Sequence, residues 1–293
     1  MCVDGIIVIN KGKGCTSHDV VRDIKKLFGV KVGHTGTLDP NATGVLPILL
    51  GKGTELSQFL ICHDKKYVAT LKLGIKTDSA DSEGHIIEEK EVNKELLTEE
   101  NVNSIFKNMI GKQKQIPPMY SAIKVNGKKL YEYARKGQSV DIPPREIEIY
   151  NFKLIDLNIK ENIIRFEIYC SKGTYIRTVC EQIAEKLSTV GYMKELERTM
   201  VGDFNIEKTV TIDELKQCYN DESFLEKNVI TIEEFFANKP EVHLDDKKIE
   251  LVLNGVCITN KREDGIVRIY DENDRFIGIC INADNKLKRK IIV

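Results

Sequence analysis

The chain opens on an apolar run, Ile6 to Ile9, ended by Lys11-Gly12-Lys13-Gly14, which predicts a buried strand followed by a glycine turn. Thr16-Ser17-His18-Asp19 then has the character of a helix start. Val20, Val21, Ile24, Leu27 and Phe28 recur at helical spacing as far as Gly29, so a helix is expected over 17–28. Gly33 to Gly44 holds three glycines and an Asp-Pro step in twelve residues, which predicts a loop leading into the apolar run Val45 to Leu50. Between Tyr67 and Leu73 the pattern alternates with period two, placing Tyr67, Ala69, Leu71 and Leu73 on one face of a strand.

Residues 77–100 read as an acidic, polar connection, after which Val102, Ile105, Phe106 and Met109 restore helical spacing over 101–110. Ile163 to Cys170 alternates again, and Ser171-Lys172-Gly173 turns the chain. Ile176, Val179, Cys180, Ile183, Ala184 and Leu187 then form a helix face, with Tyr175 and Arg177 expected in that helix's first turn. Past Pro240 the pattern becomes short strands with turns at Asn254-Gly255, Asp264-Gly265 and Glu272-Asn273, the spacing of a small β unit, so a boundary is expected near residue 240.

Composition narrows the class without choosing a function. At 293 residues, 41% hydrophobic and 30% charged, the chain has about two domain-lengths of an ordinary folded protein, with no repeats. Its apolar runs are far too short to span a bilayer. Met1-Cys2-Val3-Asp4 carries no export signal, so the expected location is the cytoplasm. The eight cysteines are scattered, with no C-x-x-C pair, and are expected to be reduced thiols.

The net charge of −1 conceals segregation: 110–151 carries 8 basic against 4 acidic side chains, and 203–246 carries 4 against 12. Basic segments separated by acidic ones can assemble one positive face, as a polyanion partner requires. Solvated helices with uneven local charge are the alternative.

No phosphate-binding G-x-x-x-x-G-K-[ST], no H-E-x-x-H, no G-x-S-x-G and no strand followed by G-x-G-x-x-G is present. The five histidines show no i, i+4 pair, so no metal site is expected. What stands out is Asp39, a carboxylate set between Leu38 and Pro40, with Gly33, Gly36 and Gly44 letting the backbone approach a ligand closely. By itself an Asp-Pro step can be no more than a turn initiator.

The string GHTGTLDPNATGVLP (33–47) is followed in order by KKYVATLKLG, GxxTDSxDxxG, PPMYSAIKVNGKKLYEYARKG and SKGTYIRTVCEQIAEKL. Together these closely resemble the bacterial tRNA pseudouridine synthase B family from Ile9 to about Phe204, and more weakly into a PUA-like tail. Where the family usually has K-P-x-G near its start, this chain has Lys11-Gly12-Lys13-Gly14, a change expected to loosen that turn.

The resemblance implies an α+β fold: a pseudouridine-synthase-like catalytic domain on a mostly antiparallel sheet over 1–239, with an RNA-contacting insertion at about 112–145. A small β-rich, PUA-like RNA-binding domain would occupy 240–293. It implies isomerisation of uridine to pseudouridine at position 55 in the T-loop of tRNA, by base flipping, glycosidic cleavage and carbon–carbon bond formation. The reaction changes no redox state and imports no group, so no cofactor is expected.

Residue by residue, Asp39 matches the family's catalytic aspartate, acting by direct attack or through a glycal-type intermediate. Arg177 matches the arginine whose fork holds that carboxylate in place and ionised. Tyr67 matches the active-site tyrosine that lies against the uracil and acts in deprotonation at C5. Tyr175 and Leu196 match positions lining the uracil pocket, and His34 matches the histidine that packs into the space left by flipped bases. The block from Lys112 to Lys136, with Tyr120, Tyr131 and Tyr133 interleaved, corresponds to a segment that closes on the RNA.

The expected partner is the T-arm of tRNA, with no membrane, no obligate protein partner and a monomeric chain. Two rivals stay open at this point: an RNA-binding folding helper without turnover, and a relative acting on another RNA, such as the guide-directed enzymes.

Overall fold

The computed structural model describes residues 3–60, 63–121, 123–125, 127–134, 136–138 and 140–293. Cys2, Cys62 and Arg135, counted above among the thiols and the basic block, lie outside the described residues.

The first strand, β1 (Gly5–Lys11), and the first helix, α1 (Ser17–Phe28), fall where the periodicity puts them. Thr16 and Asp19 close a reciprocal capping box at the start of α1, and Gly29 ends it in the left-handed conformation. β2 (Val32–His34) pairs with the end of β3 (Thr43–Leu50). The expected loop is therefore shorter than 33–44. Gly33 and His34 are strand residues because the strand Gly191–Val201 pairs with β3 only at Thr43 and Gly44 and leaves the edge at Ile48–Leu50 open.

Next come β4 (Lys65–Leu73), the hairpin β5 (Ile75–Thr77) and β6 (Ile86–Glu89), α2 (Glu99–Met109) and β7 (Gly111–Gln115). After an excursion that carries the short helix Leu130–Ala134, the chain returns as β8 (Arg145–Asn158), β9 (Ile163–Cys170), α3 (Ile176–Lys186) and β10 (Gly191–Val201). The main sheet runs β1-β3-β10-β4-β9-β8-β7, with Val210–Thr211 outside β1. Its pairings are antiparallel except β1 with Val210–Thr211 and β3 with β10. The mostly antiparallel sheet expected from the sequence is what the chain forms.

The tail holds β11 (Glu241–His243), α4 (Asp246–Leu253), β12 (Ile258–Thr259), β13 (Gly265–Tyr270), β14 (Phe276–Ala283) and β15 (Lys286–Ile292). Its five strands order as β11-β13-β14-β15-β12. Asn254-Gly255 is not a hairpin turn: it terminates α4, with Gly255 left-handed, because Ile249 and Val252 bury a helical face.

Candidate active site

The Asp39 loop is fixed from beneath by α1 and the turn before it. Ser17 Oγ accepts from the Leu38 amide at 2.9 Å and donates to the Leu38 carbonyl at 3.2 Å. Lys11, fully buried, donates from Nζ to the carbonyls of Gly12, Cys15 and Pro40 at 2.7–3.0 Å. The Lys11–Gly14 turn thus clamps Pro40, an anchor the sequence reading missed because it took that lysine as turn punctuation. At Gly12, where the family carries proline, an added Cβ would meet open space. Gly44 closes the loop at φ 104°, where a Cβ would lie 2.2 Å from the Arg198 carbonyl oxygen, so no side chain fits.

Arg177 rises from the second position of α3, and its helix start is held from outside. Tyr175 is the N-cap residue, not part of the first turn, and Gln115 of β7 grips its backbone: Tyr175 N–H donates to Gln115 Oε1 at 2.8 Å, and Gln115 Nε2 donates to Tyr175 O at 3.2 Å. The Arg177 guanidinium takes Asp39 in a fork, Nε to Oδ2 and Nη2 to Oδ1, both 3.3 Å. It also donates to the carbonyls of Ser79 at 3.2 Å and Tyr120 at 2.8 Å. A second carboxylate, Asp81, lies 3.5 Å from Nη1 and is nearly buried. Asp81 Oδ1 accepts from Ser79 Oγ and the Glu83 amide, which aims Oδ2 at the arginine. Asp81 stands in the TDSxDxxG string, yet nothing in its spacing announced a link to Arg177.

Burial raises the Asp39 carboxyl above its ordinary value, Arg177 and Lys11 oppose that, and Asp81 adds to it. The net direction is upward, so burial outweighs the fork that the sequence reading relied on to keep the group ionised.

Tyr67 of β4 lies opposite Arg198 of β10 in the ladder, and Leu196 lies opposite Ala69. Arg198 is almost wholly buried, hydrogen-bonds the Tyr67 hydroxyl, and donates to the carbonyls of Val45 at 2.8 Å and Gly36 at 3.0 Å. Burial lifts the Tyr67 phenol to about 12, against the pull of Arg198. Arg198 joins three strands to the loop, and the sequence reading assigned it no role.

Asp39, Tyr67, Tyr175, Arg177 and Leu196 line one cleft of about 700 Å³. His34 does not line it, although its neighbour Thr35 does. His34 sits half-buried on β2 opposite Ile48, its Nδ1 buried without a partner among the described residues, and burial, Arg198 and His18 push its imidazole below the ordinary histidine value. Among the described residues five cations, Lys65, Arg145, Lys172, Arg177 and Arg198, face the cleft against two carboxylates, Asp39 and Glu146, so the ligand it suits is anionic. Among the described residues no group of three His, Cys, Asp or Glu is placed to hold a metal ion, and no helix is long and apolar enough to cross a membrane.

Three family models match successive parts of the chain: "TruB family pseudouridylate synthase (N terminal domain)" over 23–176, "tRNA pseudouridylate synthase B C-terminal domain" over 177–237, and "Pseudouridine synthase II TruB, C-terminal" over 240–293. The chain is 41% identical to a tRNA pseudouridine synthase B of Caldanaerobacter subterraneus, covering 99% of both chains. It is also 41% identical to that of Francisella philomiragia, covering 98% of this chain and 94% of the relative. Among solved structures it resembles an H/ACA RNP bound to a substrate RNA containing 2'-deoxyuridine (TM-score 0.70, 22% identity, 99% of this chain and 85% of that one). A Cbf5-Nop10-Gar1 complex gives a TM-score of 0.68 at 25% identity, over 99% of this chain and 83% of that one.

Proposed function

From the premise that the chain belongs to the TruB family of pseudouridylate synthases and isomerises uridine to pseudouridine in tRNA, we propose that its target is uridine 55 in the T-loop and that Asp39 opens the glycosidic bond. The observation that carries this reading is the Arg177 fork on a carboxylate aimed into a cationic cleft.

The reaction breaks C1'–N1 and forms C1'–C5, while the proton leaving C5 is balanced by one gained at N1. Extruding a stacked base costs about a few kcal/mol, which cationic contacts to the phosphates offset. Asp39 acts as the anion, either attacking C1' or taking a proton from C2', and the fork fixes which oxygen lone pair meets the sugar. Tyr67 lies under the base: its phenol gives its proton to N1, and the phenolate so formed, compensated by Arg198, takes the proton that leaves C5. Tyr175 and Leu196 flank the detached uracil so that it turns without escaping. His34, one residue before the cleft wall, enters the space the base vacates. Residues 112–145 close on the T-arm, and the 240–293 unit adds RNA contact. On this reading the chain acts on the T-arm as a monomer, with no obligate protein partner, in the cytoplasm.

The test is incubation of the purified protein, with chelator and no cofactor, with unmodified tRNA transcript, mapping pseudouridine by position. A single T-loop product is expected. Asp39→Asn should bind tRNA within a few fold of wild type and make no product, whereas retained isomerisation would remove Asp39 from the mechanism.

A further inference from the structure

The proposed chemistry gives Lys65, one of the cleft cations, no task. β4 alternates, so Lys65 stands on the same face as Tyr67, two residues nearer the start of the strand and about 6–7 Å away. In the ladder Lys65 lies between Cys170 of β9 and Val201 of β10, at the cleft wall. Its Nζ donates to the carbonyl of His63 at 2.7 Å, and no carboxylate lies within ion-pair distance of it among the described residues. An ammonium has three donors, so two remain for a ligand. Arg198, its neighbour, has no carboxylate either, and it is committed to Val45, Gly36 and Tyr67.

Partly buried cations without a counter-charge are costly unless an anion completes them. Of the two carboxylates among the cleft's described residues, Asp39 is already taken by Arg177. The charged groups an RNA strand offers are its phosphates, and the Lys65 ammonium is tethered to the carbonyl of His63, two residues farther from Tyr67 along the chain. We infer that Lys65 is a binding residue for a backbone phosphate of the RNA strand that enters the cleft, with Arg198 adding positive potential behind it. This rests on the proposed function. Burial, Arg198 and Lys172 lower the Lys65 ammonium to about 8, while Cys170 and Asp64 raise it, so phosphate binding there is present at neutral pH and fades as pH rises.

The experiment compares wild type, Lys65→Met and Lys65→Arg. Affinity for tRNA transcript is measured in the Asp39→Asn background, and turnover with Asp39 intact. Lys65→Met should weaken binding about tenfold and reduce the slope of log K against log salt by about 0.7–0.9, with kcat within a few fold. The KM of wild type should rise between about pH 7 and pH 8.8, and Lys65→Arg should restore affinity and flatten that rise. Unchanged affinity and salt slope in an active Lys65→Met overturn the inference, as does a loss confined to kcat, which would assign the charge to the detached base. Lys65→Arg binding as poorly as Lys65→Met, with a lowered Tm, would make the position structural and also overturn it. A wild type that makes no pseudouridine overturns the functional reading instead.

Discussion

Replacing Asp81 by Asn tests whether Arg177 works as a shared cation. The change keeps size and an acceptor for Ser79 and Glu83, but removes the charge 3.5 Å from Nη1. An opposite pair at about 4 Å contributes up to about 4 kcal/mol at an effective dielectric near 20. Because Asn still offers an oxygen, and the Ser79 and Tyr120 carbonyls still hold the guanidinium, the expected loss is about 1–3 kcal/mol of transition-state stabilisation. That corresponds to about a 5- to 150-fold fall in kcat in single-turnover assays, with tRNA affinity within a few fold. The pH profile moves as well. Asp81 raises the Asp39 carboxyl, so removing its charge lowers that carboxyl. A group needed as the anion acts above its pKa and fails as pH falls through it, so the acid limb should shift to lower pH. A kcat within twofold of wild type, or an acid limb displaced upward, would refute the shared-cation argument.

Tyr67→Phe keeps the ring but loses the hydroxyl bonded to Arg198, so single-turnover rates should fall by about a hundredfold or more while filter binding to tRNA changes little. With the phenol raised to about 12, wild-type activity should show no alkaline limb from Tyr67 below pH 9, a point a pH–rate series checks directly. Lys128→Ala, on the exposed ladder strand of the excursion, should weaken tRNA binding and reduce its salt slope by about 0.7–0.9 without altering the rate at saturation.

Local periodicity made β1, α1, β4, α2 and α3 legible, because each buries a face whose repeat lies within one segment. β10 was not legible: register shifts at Met193/Glu195 and Arg198/Met200 break the period of two that would have marked it. α4 was hidden behind Asn254-Gly255, a dipeptide that ends helices as well as it turns hairpins. In the site, Asp39, Tyr67 and Arg177 came from motif resemblance. Gln115, Asp81 and Arg198 did not, since their work is done across the fold: Arg198 reaches Gly36 over 162 positions, and Gln115 reaches Tyr175 over 60. Spacing along a chain carries no trace of a partner that distant, whereas a glycine-flanked Asp-Pro carries its own conformational signature.

The unbroken apolar runs have a reason that period counting alone cannot supply. In β1, Ile7 and Ile9 point into the cluster beneath α1 and α3, while Ile6 and Val8 point into a second cluster. In β3, Leu46, Ile48 and Leu50 join the first cluster, and Val45 and Leu49 the second. That second cluster includes Phe236 and, from the tail sheet, Ile279 of β14 and Ile291 of β15. Strands covered on both faces need every position apolar, which is why these two read as continuous runs while β4, whose Lys66, Val68 and Lys72 face is only half-buried, alternates. The tail is therefore a structural cover for the strands that flank the Asp39 loop as well as a candidate RNA contact. β1 ends in Lys11 and β3 begins at Thr43, so the two strands gripping the loop are the ones packed from both sides. The carboxylate proposed to act at the ribose is thereby mounted between two strands buried on both faces, which limits how far it can move.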